Sequence, residues 1–176
     1  MPMRSCGASS PACRCRGNTA AMPGPIFLRR ATAADQVQIT ALIRTVGINP
    51  MGLKWPRFIV ADERGRIVGA GQVKTHGDGA RELASIAVAP DRQGMGIGRA
   101  IVATFVALEP EPLYLYCADH NEGYYLQFGF RALPPGEMPQ SLRRIHRLGN
   151  SVLRFVSAVS GQQRRLVVMG RGVGEA

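Results

Sequence analysis

Three glycines at alternate positions, Gly94, Gly96 and Gly98, separate a mostly apolar segment from an amphipathic one. The pattern predicts a buried strand over Leu83–Val88, a tight turn, and a helix over Gly96–Leu108. Glycines leave backbone N–H groups unobstructed, and at a helix N-terminus these unpaired donors and the helix dipole favour an anion. The chemistry predicted for this segment is therefore the binding of a diphosphate group.

Two common phosphate-binding loops are excluded by the residues around the glycines. A P-loop ends in Gly-Lys-Ser/Thr, whose lysine reaches the terminal phosphates, whereas Gly98 is followed by Arg99 and Ala100. The dinucleotide-binding fingerprint requires a third glycine three residues after the second. That position is Arg99 or Ile101, depending on which glycine is counted first. The glycine-rich segment from Gln93 to Arg99, called the cradle below, therefore belongs to neither class of phosphate-binding loop.

The glycine-rich segment resembles a motif of the GNAT acetyltransferases. Gln93-x-x-Gly96-x-Gly98 is similar to the family pattern Gln/Arg-x-x-Gly-x-Gly/Ala. Further along the chain, Tyr124-Tyr125-Leu126-Gln127-Phe128-Gly129-Phe130 is similar to the family ending Phe-Tyr-x-x-x-Gly-Phe. The resemblance covers roughly Ile26 to Leu133, with a last strand that begins near Arg164. Two motifs in the family order and at the family spacing make it specific.

The resemblance implies that acetyl-CoA is the co-substrate. In the family this molecule is held by the cradle and by exposed backbone of the preceding strand, where two strands splay apart. An asparagine in the position of Asn121 often bonds its pantetheine arm. The candidate cofactor-binding residues are Ile86, Ala87, Val88, Gln93, Gly94, Met95, Gly96, Ile97, Gly98, Arg99 and Asn121.

Acetyl transfer to an amine requires a neutral nucleophile and a proton donor for the departing thiolate. An alkylamine is mostly protonated at pH 7, so a base must take its proton, directly or through water. The resemblance implies Glu82 as this base, because many members carry one just before the strand; His76 and His120 remain alternatives, since imidazole titrates near neutrality. The resemblance also implies Tyr125 as the proton donor. In the family, the tyrosine of the Phe-Tyr-x-x-x-Gly-Phe motif places its hydroxyl near the CoA sulfur.

The elements that must position these residues follow one another quickly after Met22. Apolar residues at i, i+3, i+4 and i+7 predict an amphipathic helix that contains Ile39, Leu42, Ile43 and Val46. The order of hairpins and crossovers indicates an α/β fold with a mixed, mostly antiparallel twisted sheet flanked by helices, as in the GNAT family. The predicted strands are Ile26–Arg29, Phe58–Ala61, Ile67–Thr75, Leu83–Val88, Leu113–Tyr116, Phe130–Leu133 and Leu166–Met169, and the other helices are Gly96–Leu108, which buries Ile97, Ala100, Ile101, Phe105 and Leu108, and Glu122–Gln127.

An insertion at about 139–160 precedes the last strand and departs from the minimal family pattern. Its apolar residues fall on one helical face, with arginines elsewhere. We expect a helix whose apolar face packs over the sheet; a dimer contact, a lid over the acceptor pocket, and a membrane-surface or nucleic-acid role remain alternatives. The apolar positions are Leu142, Ile145, Leu148, Val152, Phe155, Val156 and Val159.

The length of 176 residues is typical of one domain, which we place at 23–176. The formal net charge is +10, but residues 23–138 carry only +1, so the high charge is a property of the ends.

No run of 18 apolar residues predicts a membrane span. The basic insertion lacks interleaved aromatics, which argues against nucleic-acid binding. With no secretory h-region, we expect a cytoplasmic protein.

Residues 1–22 have no apolar periodicity, and we expect a disordered extension or an upstream start ahead of Met22; a transit peptide remains an alternative. Cys6, Cys13 and Cys15 match no zinc spacing, so no metal site is predicted. Cys117 is predicted to be a small buried hydrophobe.

The residues that would recognise the amine acceptor are predicted from their place in the fold. In this fold the acceptor is recognised by the segment after the first helix and by hairpin loops, which here supply Asn49, Met51, Lys54, Trp55, Arg57 and His76. Lys54 and Arg57 would suit a carboxylate on a small acidic amine. A homodimer remains open. The alternative function is a non-catalytic CoA-binding or interaction module that uses the basic insertion, but the presence of both Glu82 and Tyr125 favours an enzyme.

Overall fold

The computed structural model describes residues 24–148 and 165–174. Its strands are β1 (Ile26–Arg30), β2 (Phe58–Glu63), β3 (Arg66–Thr75), β4 (Arg81–Val88), β5 (Leu113–Ala118), β6 (Arg131–Ala132) and β7 (Leu166–Arg171), and its helices are α1 (Gln36–Thr45), α2 (Ile97–Leu108) and α3 (Glu122–Leu126). The strands form one sheet in the order β1-β2-β3-β4-β5-β7-β6. Neighbours are antiparallel except β4 and β5, which are parallel. The predicted mixed, mostly antiparallel sheet is confirmed.

Helices cover both faces of the sheet, and glycines in β3 allow α2 to approach closely. A Cβ atom on Gly69 would lie 2.6 Å from the Ile97 side chain, and one on Gly71 would also collide with side chains of α2. Because side chains alternate along a strand, Gln72 and Lys74 lie on the opposite face. That face, against which α1 packs at β3 and β4, is called the α1 face below.

The buried side of α2 differs from the predicted one. Three of the five predicted residues are buried, but Ala100 and Leu108 are exposed and Val102 is buried instead. Leu108 is the last helical residue, and Ala100 lies on the side of the helix away from Val102. The stripe that contacts the sheet is therefore rotated by part of a turn from the expected one.

The insertion begins with a helix over residues 140–148. Leu142 is fully buried, as expected, but Ile145 and Leu148 are 42% and 70% exposed. The expected packing of the whole apolar face is therefore wrong at Ile145 and Leu148. The backbone N–H and the hydroxyl of Ser141 donate to Asp78 at 2.9 and 2.8 Å, which ties the first turn to the β3–β4 hairpin. Nε2 of His146 lies 3.2 Å from the Leu166 carbonyl on β7. Val152, Phe155, Val156 and Val159 lie outside the described residues.

Leu142 is buried and Leu148 is exposed, so replacing each of them with alanine should lower the free energy of unfolding by different amounts. Leu142→Ala should lower the free energy of unfolding by about 2–5 kcal/mol, because it leaves a cavity in a packed site. Leu148→Ala should change it by less than about 0.5 kcal/mol, as at other exposed sites. Urea denaturation of the two variants measures both values. Equal losses would show that Leu148 is covered by another surface in solution.

Residues 24–148 and 165–174 contain no helix with the length and hydrophobicity of a membrane span. No cluster of three or more His, Cys, Asp or Glu side chains with the geometry of a metal site occurs in the same residues. Cys117 is buried, as predicted, and its thiol donates to the sulfur of Met169 at 3.6 Å. Burial raises the pKa of the Cys117 thiol to about 11, so it is not a thiolate at neutral pH.

Candidate active site

The glycine segment forms an open cradle at the start of α2. Gly94 and Gly96 both have φ of +79°, a left-handed conformation that favours glycine. A Cβ atom on either would meet no atom within 4 Å, so the space beside the loop is free for a ligand. A Cβ atom on Gly98 would lie 3.6 Å from Val88 and from the Tyr124 hydroxyl. Open space in front of unpaired helix N–H groups suits a diphosphate.

Ion pairs fix the turn that leads into the cradle. The Arg66 guanidinium binds both carboxylate oxygens of Asp91, at 2.8 and 2.9 Å. Arg92 lies 3.0 Å from the carboxylate of Glu63 on β2. The side-chain amide of Gln93 donates to the Val88 carbonyl at 3.3 Å. Gln93, predicted to bind the cofactor, therefore bridges the turn and the end of β4.

A gap opens between β4 and β5 beyond their first residues. The two strands pair only over Arg81–Leu83 and Leu113–Leu115, although β4 continues to Val88. On its other edge β4 stays paired with β3, where Ala87 lies opposite Ala70. The edge of Ile86–Val88 that faces β5 therefore has no strand partner in the part of the chain that the structure describes. Such an edge can hydrogen-bond an extended ligand, as another strand would.

A histidine and a carboxylate pair at the end of the β3–β4 hairpin. Nε2 of His76 lies 2.6 Å from Oε2 of Glu82, and only 17% and 12% of the two side chains are exposed. Glu82 lies opposite Lys74 in the register, so this pair belongs to the α1 face. An imidazole that donates from Nε2 leaves Oε1 of the carboxylate to accept another proton. Two residues that were alternatives for the base are thus in direct contact.

The third candidate base does not join this pair. His120 lies in a short 3-10 helix after β5, where its side chain is 67% exposed and 3.7 Å from Asp119. Glu82 pairs with the opposite, N-terminal end of β5. His120 therefore lies beyond the far end of β5 from the Glu82–His76 pair.

Tyr125 lies on α3, which follows β5 and borders the gap. Its ring packs edge-on against Tyr124 and Phe130, with centroid distances of 5.0 and 6.2 Å. Burial raises the pKa of Tyr125 to about 12, and the neighbouring Tyr124 and the Cys117 thiol on β5 add to the shift. The hydroxyl is therefore protonated at neutral pH and can act as a hydrogen-bond donor. Asn121, predicted to bind pantetheine, is exposed just before α3.

The segment after α1 carries the predicted acceptor residues close to the α1 face. Nζ of Lys74 lies 3.4 Å from the carbonyl of Met51, whose side chain is 72% exposed. Trp55 is held by a hydrogen bond from its backbone N–H to the Gln36 side chain at 2.9 Å. Lys54 lies on the same loop and is exposed. The loop therefore brings cations towards the face that holds Glu82.

Three residues at the site were missed by the sequence reasoning. The Tyr124 hydroxyl stands beside Gly98, although the family ending has phenylalanine at this position. Ser85 has φ of +56° inside β4, and the fully buried Gln72 donates to its hydroxyl at 3.0 Å. For Ser85 and Gln72, the one feature of the sequence that could have indicated a role is a glutamine within an otherwise apolar strand.

A family model described as an acetyltransferase (GNAT) domain matches residues 54–132. No curated protein sequence matches the chain significantly. Among solved structures, N-acetylglutamate synthase from Neisseria gonorrhoeae complexed with coenzyme A and L-arginine has a TM-score of 0.64 and 18% identity. The match covers 86% of this chain and 34% of that one, so the chain spans about a third of the length of that enzyme.

Two other structures match over nearly their whole length. Rv2747 from Mycobacterium tuberculosis, solved in complex with CoA, has a TM-score of 0.61 and 21% identity, and the match covers 82% of this chain and 98% of that one. ElaA from Escherichia coli has a TM-score of 0.59 and 13% identity, with 84% and 99% covered. At these identities the matches show a shared fold.

Proposed function

We propose that the protein transfers an acetyl group from acetyl-CoA to the primary amine of a small molecule, and the match of residues 54–132 to a GNAT acetyltransferase domain supports this. The observation that carries the proposal is the open cradle at α2, which is continuous along β4 with the gap toward β5. The amine attacks the thioester directly in a ternary complex. Coenzyme A in the similar structures from N. gonorrhoeae and M. tuberculosis supports the choice of ligand.

The cradle and the gap fit the two ends of this co-substrate. Backbone N–H groups from Gly94 to Arg99, including those of Met95 and Ile97, hold the diphosphate at the positive end of α2. The free edge of Ile86–Val88 pairs with the amide groups of the pantetheine arm, and Asn121 supplies a further side-chain amide. The pantetheine arm runs from the cradle along β4, whose residues are spaced about 3.3 Å apart. The thioester at the end of the arm then lies near Ser85, between the cradle and Glu82.

Glu82 acts as the general base in this proposal. Acetyl-CoA supplies an activated acyl group, but the amine must lose its proton before it can attack. Oε1 of Glu82 takes that proton, directly or through a water molecule. The contact with His76 holds the carboxylate in one orientation and leaves this oxygen available. The proposal thus assigns proton transfer to Glu82 and orientation to His76.

Tyr125 assists the departure of the thiolate. Its pKa of about 12 lies well above that of an ordinary thiol, about 8.5. Full proton transfer from the phenol to the sulfur is therefore uphill, and the main contribution of Tyr125 is a hydrogen bond to the sulfur as negative charge develops there. The proton that completes the free thiol then comes from solvent or from the base.

Tyr125→Phe tests this assignment with a change of a single oxygen atom. We expect kcat to fall by roughly 10- to 1000-fold, in line with the loss of a general acid or hydrogen-bond donor. The Kd for acetyl-CoA should stay within about twofold, because the ring and its packing remain. Steady-state kinetics and calorimetry measure the two quantities. Unchanged turnover would reduce Tyr125 to a packing residue.

The acceptor proposed here is a small primary amine that also carries a carboxylate, such as an amino acid. Lys54, Arg57 and Lys74 make no ion pair with an acid within residues 24–148 and 165–174. They lie on the acceptor loop and beside Glu82, so they can bind the carboxylate while the amine faces the base. The similar N. gonorrhoeae enzyme, which was also solved with N-acetyl-glutamate, supports this class.

A thiol-release screen with acetyl-CoA tests the function and the acceptor together. The panel contains amino acids, the corresponding decarboxylated amines, polyamines, aminoglycosides and peptides. We expect release with at least one amino acid and little with its decarboxylated partner. Release with an uncharged or cationic amine would contradict the acceptor class alone. Binding of acetyl-CoA without release by any amine would favour the non-catalytic alternative.

A further inference from the structure

Ser85 has a strained backbone at the point where the gap begins. Its φ of +56° lies in the left-handed region, which is unfavourable for a residue with a side chain. The register of β3 and β4 shifts here, because Gln72 pairs with Ala84 while Ala70 pairs with Ala87. The resulting bulge lies just beyond the last residue pair between β4 and β5. Strain held at one position of an otherwise regular strand indicates a functional constraint.

Gln72 fixes the direction in which the Ser85 hydroxyl can donate. The Gln72 side chain is fully buried, and its Nε2 donates to Oγ of Ser85 at 3.0 Å. Oγ is therefore an acceptor in this contact, and its own proton must go to a different group. Oε1 of Gln72 has no hydrogen-bond partner among the described residues. A buried amide that leaves one of its own atoms unsatisfied is a costly way to hold a half-buried serine.

We propose that the Ser85 hydroxyl donates a hydrogen bond to the carbonyl oxygen of the acetyl thioester. This inference rests on the proposed function, since it requires acetyl-CoA in the gap. Along β4, Ser85 lies between the free edge of Ile86–Val88 and Glu82. Its contact with Gln72 also places its hydroxyl on the α1 face, the same face as Glu82. The donor and the base thus stand on one side of the reacting carbonyl.

The role follows from the charges that the reaction creates. The amine nitrogen attacks the carbonyl carbon, a C–N bond forms, and the carbonyl π electrons move to the oxygen. When the carbonyl re-forms, the C–S bond breaks and its electron pair leaves with the sulfur. Glu82 takes the proton from nitrogen, and Ser85 keeps its own proton throughout. A fixed donor at the oxygen stabilises the charge at the moment when it is largest.

The test uses acetyl-CoA labelled with carbon-13 at the carbonyl, and it needs no acceptor. A hydrogen bond to the oxygen moves the carbonyl resonance of the bound molecule downfield. Ser85→Gly and Ser85→Ala both remove the hydroxyl, but glycine relieves the backbone strain and alanine retains it. We expect both variants to lose the downfield shift equally, to bind unacetylated CoA with wild-type affinity, and to lose about 100-fold in kcat with an acceptor from the screen.

Gln72 is a positioning residue, because it orients the Ser85 hydroxyl. A separate variant, Gln72→Met, tests this role. Gln72→Met should move the resonance part of the way toward its position in Ser85→Gly, although the hydroxyl is still present. A wild-type resonance in this variant would remove Gln72 from the inference.

Three results would overturn the role of Ser85. If the wild type and Ser85→Gly give the same bound resonance, the hydroxyl does not contact the carbonyl. If only Ser85→Gly moves it, the backbone and not the hydroxyl is responsible. If labelled acetyl-CoA does not bind the wild type at all, the proposed function fails and this inference fails with it. The first two results leave the proposed function intact.

Discussion

Millimolar acetyl-CoA should raise the thermal midpoint of the wild-type protein by roughly 5–10 °C and leave that of Gly98→Asp unchanged. A ligand at 100 times its Kd stabilises the folded state by about 2.7 kcal/mol, and each kcal/mol moves the midpoint of a domain of this size by about 2–4 °C. An aspartate at this position brings a negative charge to the site of the diphosphate. Differential scanning fluorimetry with and without acetyl-CoA measures the shift.

Gly98→Ala is the matched control for this variant, because it adds the same Cβ atom without the charge. That atom would lie 3.6 Å from Val88 and from the Tyr124 hydroxyl, an ordinary contact distance, so we expect the shift to be retained. Gly96 is a poorer position, since its φ of +79° strains any other residue. No shift in the wild type would refute the choice of ligand. A wild-type shift in Gly98→Asp would move the ligand away from the cradle.

Local patterns were sufficient to predict most of the fold. Within residues 24–148 and 165–174, each predicted strand and helix is present, with ends displaced by a few residues, because alternation and the 3.6-residue period are encoded within single segments. The link between β2 and β3 is an example, because it is short and holds a glycine between two predicted strands. Arg64 and Gly65 have φ of +54° and +84°, which is the conformation that a two-residue hairpin turn requires.

Contacts between distant segments account for what the sequence did not predict. The gap depends on where the pairing of β4 and β5 ends, and that is set by the bulge at Ser85 together with packing on both faces. The contact between His76 and Glu82 depends on the register of the β3–β4 hairpin. A periodicity plot identifies neither, because each requires the relative placement of two strands.

The insertion shows the opposite error, in which a local pattern predicted too much. Leu142 and Leu148 belong to the same apolar stripe, yet only Leu142 is buried. The helix is tied to the sheet through Ser141 and Asp78 and through the Tyr116 hydroxyl, which donates to the Leu142 carbonyl at 2.8 Å. Nε2 of His146 also lies 3.2 Å from the Leu166 carbonyl on β7, but among the described residues no such contact covers the Leu148 side chain. Amphipathic spacing indicates that a face is able to pack, but the anchoring contacts determine how much of it does.

Glu82→Gln should lower kcat/KM at pH 7 by about 10²–10⁴-fold, the range expected for loss of a positioned base. Glutamine has the same shape and can still accept a hydrogen bond from His76, so the fold and the affinity for CoA should be preserved. The loss should shrink as the pH approaches the pKa of the amine, about 10 for an alkylamine, because solvent then supplies the neutral nucleophile. A pH–rate profile with an acceptor from the screen measures both effects.

Two further variants decide which member of the pair acts on the amine. His76→Gln removes the partner but keeps the carboxylate, so it should lose less activity than Glu82→Gln and should not be rescued by high pH to the same extent. Glu137→Gln, which removes an exposed carboxylate paired with Arg131, should behave as the wild type. If His76→Gln instead shows the larger loss and the pH rescue, the imidazole is the base and Glu82 orients it. Because the two side chains are only 2.6 Å apart, either removal disturbs the other group, and the pH dependence rather than the size of the loss distinguishes the two roles.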